Sequence, residues 1–158
     1  MITLVLVRHG KSEWGGSTGS LPDFERPLNE RGLRDAPVMA RRLADAGVRP
    51  DVIRSSPAVR ARTTAEAFAA ELDVPVDLDP DLYGASAETI LAAAADTRAQ
   101  AVVVVAHDPG MSALAAELSG DGIEHMPTCA VATFVWNEDD WDAATAVAPA
   151  SWTLDTPR

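Results

Sequence analysis

The chain is short of several residue types, and each shortage excludes something. Cys129 is its one cysteine in 158 residues, so no internal disulfide can form and the composition suits a reducing compartment. Aromatic residues make up 5% of the chain, so core volume has to come from alanine, valine and leucine. Positive charge is scarce: 13 lysines and arginines face 24 acidic residues, for a formal charge of −11. Such a surface argues against nucleic acid and against an anionic membrane as partners. No apolar run approaches a membrane span. The apolar start, Ile2 to Val7, is shorter than a secretory h-region and has no basic flank. The expectation is a cytoplasmic protein with a single domain over residues 1–158. Repeats, low-complexity segments and linkers are also missing.

What is present is an alternation of apolar strands and helical segments. Ile2–Val7 and Ala101–Ala106 are short, continuous and β-branched, as strands buried on both faces are. Weaker strands are expected at Asp51–Ile53, Val74–Leu78 and Cys129–Trp136, with short final ones at Ala144–Ala148 and Ser151–Leu154. Between them, a helix is expected from the N-cap Asn29 to Ala46, with Gly47 as its stop and Pro37 either kinking it or delaying its start. Another is expected from Ser56-Pro57 to about Leu72, with Ser56 as N-cap and Pro57 at the first position. Two more follow Ser86 and Asp108-Pro109. The alternation predicts an α/β fold, a three-layer α/β/α sandwich around a mostly parallel sheet.

In such sheets ligands bind at the carboxyl ends of the strands, and three of those ends carry residues with chemistry. The first strand runs into Arg8-His9-Gly10. The second leads through Ser55-Ser56-Pro57 to Arg60, one turn into a helix. The Val-rich strand ends at His107-Asp108-Pro109-Gly110. Arginine grips phosphate oxygens in fork geometry, histidine can be nucleophile or base near neutral pH, and glycine lets the backbone approach a ligand closely. Taken singly, each has a plainer reading: a structural histidine, a solvated arginine like Arg54 or Arg62, a helix start at Asp108. Together they describe a phosphate pocket at one sheet edge of an acidic protein. His9, His107 and His125 have no local metal-ligand spacing, and no Gly-x-Gly-x-x-Gly or Walker A run follows any strand. Neither a metal nor any other cofactor is expected.

These segments resemble the signatures of the histidine phosphatase superfamily, the group of phosphoglycerate mutases and acid phosphatases. Arg8-His9-Gly10 is similar to its hallmark. Ser56-Pro57-Ala58-Val59-Arg60-Ala61-Arg62-Thr63-Thr64 resembles its second run, and His107-Asp108-Pro109-Gly110 its third, in the same order. Within the superfamily the chain is most similar to the short SixA-type phosphohistidine phosphatases. It is too short for the helical insertions of the mutases, and Arg26-Pro27-Leu28-Asn29-Glu30-Arg31-Gly32 resembles a segment of the SixA group. The resemblance implies a phosphoglycerate mutase-like fold and a metal-independent phosphatase. His9 would become phosphorylated and then be freed by water. Arg8, Arg26, Arg60 and His107 would hold the phosphoryl group, with His9, His107, Arg8 and Arg60 as the catalytic set. Arg26 has a plainer alternative as a loop arginine paired with Asp23 or Glu25.

The resemblance leaves the leaving-group acid unassigned. Larger relatives carry a carboxylate after the third strand, where this chain has Leu82 to Glu88. Glu88 is the nearest carboxylate, although it falls at a helix start that it would stabilise; Asp23 and Asp108 are the other candidates. A site without a dedicated acid suits phosphohistidine, whose imidazole departs more easily than an alkoxide. The expected partner is thus a phosphorylated protein. The alternatives are a small phosphate ester or nucleotide handled by the same chemistry, or an inactive phosphate-binding module. Gly15, Gly16 and Gly19 suggest a loop that closes over the substrate. Cys129, Tyr83 and the four tryptophans read as packing residues, and His125 as a loop residue.

Overall fold

A computed structural model describes residues 1–14 and 20–158. Gly15, Gly16 and Gly19, on which the closing-loop expectation rests, lie outside the described residues. Six strands form one sheet: β1 (Ile2–Arg8), β2 (Val52–Ser55), β3 (Val76–Leu78), β4 (Ala101–Ala106), β5 (Val131–Trp136) and β6 (Ser151–Asp155). Their order is β3-β2-β4-β1-β5-β6. The block from β3 to β1 is parallel, while β5 and β6 pair antiparallel. The helices are α1 (Glu30–Asp45), α2 (Val59–Leu72), α3 (Ala87–Ala95), α4 (Gly110–Leu118) and α5 (Trp141–Thr145).

The central strands are apolar along their whole length because both faces are covered. Leu4, Leu6, Val102 and Val104 pack with Ile90, Met111, Leu114 and Trp141 of α3, α4 and α5. Val5, Val7, Val103 and Val105 pack with Met39, Leu43 and Phe68 of α1 and α2 on the other face. This is the expected three-layer arrangement. Among the described residues, no helix is long and apolar enough to cross a membrane.

Two local expectations change. Residues near Ala144 form the short helix α5 rather than a strand. Asp140 caps it by accepting from the Ala143 N–H, and buried Trp141 anchors it. Helix α2 begins at Val59 rather than at Pro57, so Ser56 is not its N-cap. Helix α1 does start after Asn29, whose side chain accepts from Gly32 N–H, and it runs through Pro37. Pro37 is exposed, on the flank where water can take the place of its missing N–H. Two glycines allow close approaches that any side chain would block. A Cβ on Gly32 would collide with the Lys11 carbonyl, and one on Gly110 with the Ala85 carbonyl.

Candidate active site

Register brings the chemistry together. Arg8 lies beside Ala106, and Ser55 beside Val105, so the carboxyl ends of β1, β4 and β2 finish at one level. The ladder continues past them, with His9 N–H donating to Ala106 O and Ser56 N–H to Val105 O. His107 therefore sits between the first and second junctions, and its ring centroid is 5.1 Å from that of His9. Helix α2 is tied to the first junction through Thr64, whose hydroxyl accepts from Gly10 N–H and donates to Arg60 O.

The fourth component arrives by a loop whose ends are pinned together. Glu13 N–H donates to Pro27 O and Asn29 N–H to Lys11 O, each at 2.9 Å. This returns Arg26 to the sheet edge, where it is buried. Its Nη1 donates to Ser12 Oγ at 2.8 Å and to Glu13 O at 2.9 Å. The result is a cleft of about 290 Å³ lined by Arg8, His9, Lys11, Ser12, Trp14, Asp23, Arg26, Arg60, His107, Asp108 and Thr128. Four cationic side chains face two carboxylates there, so the cleft is locally positive in an acidic protein. A second cleft, of about 350 Å³, lies among Asp96, Asp139, Asp140 and Asp142. Its carboxylates would repel an anion.

The Nδ1–H of His9 donates to Gly10 O at 2.8 Å, since a carbonyl can only accept. That bond leaves Nε2 as the unprotonated nitrogen of a neutral ring. Burial, the largest effect, together with His107, Arg60 and Arg8, lowers the His9 pKa to about 3 against the backbone hydrogen bond that raises it. Burial first, and then Arg60, lowers that of His107 to about 4. Both rings are therefore neutral at pH 7. His107 Nε2 lies 2.7 Å from Ser56 Oγ, which is the role Ser56 takes up instead of a helix cap. His107 therefore faces the cleft as a neutral ring and not as a cation.

These depressed values carry a stability consequence. Unfolded histidine titrates near 6.5, so the unfolded chain gains protons on acidification before the folded chain does. Stability contributed by neutral His9 and His107 is present above pH 6.5 and lost as pH falls toward 4 and then 3. A gap of one pH unit corresponds to about 1.4 kcal/mol. The urea midpoint should fall steeply between pH 6.5 and 4, and His9→Asn should flatten that fall. An equally steep fall in the variant would refute the assignment.

The carboxylates divide. Asp23 Oδ1 accepts from Arg26 Nε at 3.0 Å, and its Oδ2 accepts from Arg60 Nη2 at 2.9 Å and Tyr83 Oη at 2.6 Å. The Tyr83 hydroxyl first, and the two guanidiniums, hold its pKa far below the usual carboxylate range. An oxygen pair so fully engaged, and ionised, has no proton to give. Asp108 lies 3.4 Å from Arg8 Nη1 and accepts from both the N–H and the hydroxyl of Ser112. Glu88 is exposed in the first turn of α3 and does not line the cleft. The structure brings together Arg8, His9, Arg26, Arg60, His107, Asp23 and Asp108, and leaves Glu88 outside.

For Arg26 both readings hold, since it pairs with Asp23 and lines the cleft. Lys11, Ser12, Trp14, Tyr83 and Thr128 were not singled out by the sequence. Lys11 and Ser12 line the cleft and directly follow the hallmark, which was their available signal. Tyr83 is bonded to Asp23 rather than packed in the core, and Trp14 lies over the Arg26 guanidinium at 3.5 Å. Nothing in the pattern around either aromatic marks it. Cys129 is buried, and desolvation raises its pKa to about 12, in keeping with a packing role.

Comparison with known proteins decides the family. The profile of the histidine phosphatase superfamily (branch 1) matches residues 4–89. The chain belongs to this superfamily. An uncharacterized chloroplastic protein of Arabidopsis thaliana is 30% identical across 96% of this chain and 75% of its own length. A structure from Nakamurella multipartitia, provisionally assigned as the phosphohistidine phosphatase SixA, superposes with a TM-score of 0.85 at 28% identity. It covers 99% of this chain and 96% of that one. A 2,3-bisphosphoglycerate-dependent phosphoglycerate mutase of Thermobifida fusca is 42% identical, but over only 41% of this chain and 26% of the mutase. The chain therefore has the fold and length of SixA, and shares with that mutase a segment spanning about a quarter of the mutase. It is a hydrolase of the histidine phosphatase type, a superfamily that works through a phosphohistidine intermediate.

Proposed function

We propose that His9 is the nucleophile of a metal-independent phosphatase whose preferred substrate is phosphohistidine carried on a protein. The observation that carries this reading is the hydrogen bond from His9 Nδ1–H to Gly10 O beside three buried or half-buried arginines. It leaves Nε2 free as the attacking atom in a site built for an anion. Among the described residues, the buried side-chain nitrogens without a hydrogen-bond partner are Arg8 Nε, Arg60 Nε and His107 Nδ1. All three belong to this cleft.

In the first step His9 Nε2 bonds to phosphorus while the bond from phosphorus to the leaving nitrogen breaks. The substrate reacts with its other ring nitrogen already protonated, so the imidazole departs as a neutral ring and keeps that proton. Water then attacks phosphorylated His9, releasing inorganic phosphate and restoring the neutral ring. Arg8, Arg26 and Arg60 neutralise charge on the phosphoryl oxygens in both steps. The arginines supply what a divalent cation supplies elsewhere, so EDTA should leave the rate unchanged.

The substrate preference rests on the carboxylates. Asp23 is ionised and held by three donors, Asp108 is engaged by Arg8 and Ser112, and Glu88 is outside the cleft. An alkoxide leaving group would miss a general acid, which is worth roughly 10²–10⁴ in rate. A ring that leaves with its own proton misses nothing. A panel of a phosphohistidine protein, a sugar phosphate and a nucleotide should therefore show kcat/KM higher by about that factor for the first. Equal turnover of the sugar phosphate would refute the preference. Inactivity of the wild type on the whole panel would leave an inactive phosphate-binding module.

A further inference from the structure

Trp14 is the most exposed large apolar side chain of the described residues, with 72% of its surface in water. It stands at the mouth of the cleft, with the Arg26 guanidinium 3.5 Å from its ring centroid. Arg26 in turn is ion-paired to Asp23 at 3.0 Å. Tyr83 donates to the same carboxylate, is 39% exposed, and packs edge-on against both Phe24 and His107. Apolar surface thus gathers on one connected set of side chains at the opening of an otherwise polar site. Exposed aromatic area of this kind marks a contact surface.

The position of Trp14 limits what that contact can be. The guanidinium covers part of the indole, and the exposure leaves most of the ring open to solvent. Arg26 is a cleft residue, so a phosphoryl group held there places its leaving group near the indole. An open indole next to a phosphate pocket offers dispersion and stacking to a flat ring, and little to a hydroxylated alkyl chain. The cation beneath it polarises the stack further.

We propose that Trp14 is a platform for the leaving group, selecting substrates whose phosphoryl group is attached to a planar aromatic or heteroaromatic ring, the imidazole of a protein histidine among them. The inference builds on the phosphatase reading, and it is tested by binding rather than turnover. Phenylphosphonate and methylphosphonate carry the same anion and cannot be hydrolysed, but only the first carries a ring. Calorimetric titration of the wild type should show phenylphosphonate bound about tenfold more tightly, as stacking on one aromatic side chain allows. Trp14→Ala should remove most of that difference, and Trp14→Phe should keep it.

Equal weakening of both ligands by Trp14→Ala would overturn the platform, since that result means the indole only steadies Arg26. A wild type that binds both phosphonates equally would overturn it as well. If neither phosphonate binds the wild type, the phosphate pocket itself is wrong, and the platform falls with it. Trp14 is exposed enough for both variants to fold, which the unchanged urea midpoint would verify.

Discussion

Replacing His9 by alanine is expected to lower kcat on the phosphohistidine substrate by on the order of 10⁴ or more, the scale on which removal of a nucleophile acts. The side chain is buried and makes one hydrogen bond, to its own neighbour's carbonyl, so little else depends on it. Arg8, Arg26 and Arg60 keep their other partners, Met126 O, Ser12 and Asp23, and the cleft should still bind a phosphate analogue such as vanadate. Two measurements separate chemistry from binding. Wild type quenched during turnover should carry a phosphoryl label that is acid-labile and stable to alkali, as expected for phosphohistidine, and His9→Ala should carry none. Retained turnover in His9→Ala, or a label on another residue, would refute the nucleophile. Because His9 and His107 are both neutral down to about pH 4, kcat/KM should not fall from pH 7 to 5 and should drop only as Nε2 is protonated below that.

Arg60→Ala should cost two to three decades in kcat/KM, by the measure of a lost donor to a developing oxyanion. Its effect reaches further than one phosphate contact. Arg60 Nη1 donates to Asp23 O, and its Nη2 to Asp23 Oδ2. The same carboxylate holds Arg26, so Arg60 joins helix α2 to the loop that delivers a second arginine of the cleft. Removing it frees Asp23 on one side and should unsettle Arg26 as well. Arg60→Lys keeps the charge but loses the fork, and should fall between alanine and wild type. Asp23→Asn provides the control. It retains a side chain of the same shape but weakens the grip on both guanidiniums, so KM should rise more than kcat falls. If Arg60→Ala lowered activity less than tenfold, the arginine would be a structural tie and not part of the phosphate site.

Much of this was readable in the linear chain because the signals were local. Ile2–Val7 and Ala101–Ala106 are continuous apolar runs, as a strand covered on both faces requires, and a histidine follows each within two residues. Asn29 and Ser86 cap their helices through short-range hydrogen bonds with a known sequence form. The misreadings were made where a short segment had two local answers. Residues 141–145 are rich in alanine, and β-like alternation beside them concealed a one-turn helix decided by the burial of Trp141. Ser56-Pro57 has the form of a helix start, but the Ser56 hydroxyl was claimed by a ring from residue 107.

By itself the sequence determined the layered α/β fold, the four segments that meet at the cleft and their order, because periodicity and motif are properties of neighbouring residues. It also determined the excess of negative charge against which the cleft has to be positive. Only the tertiary structure decided which carboxylate is where. Asp23, 37 residues from Arg60 and 60 from Tyr83, became an ionised brace between two arginines, while Glu88 was carried out of the cleft on the first turn of α3. Tertiary packing likewise put Trp14 over Arg26 at the mouth. Sequence spacing does not specify such pairings, because they follow from strand register and from where a long loop returns. That no free acid stands beside His9 among the described residues, on which the substrate preference rests, is therefore a property of the folded molecule.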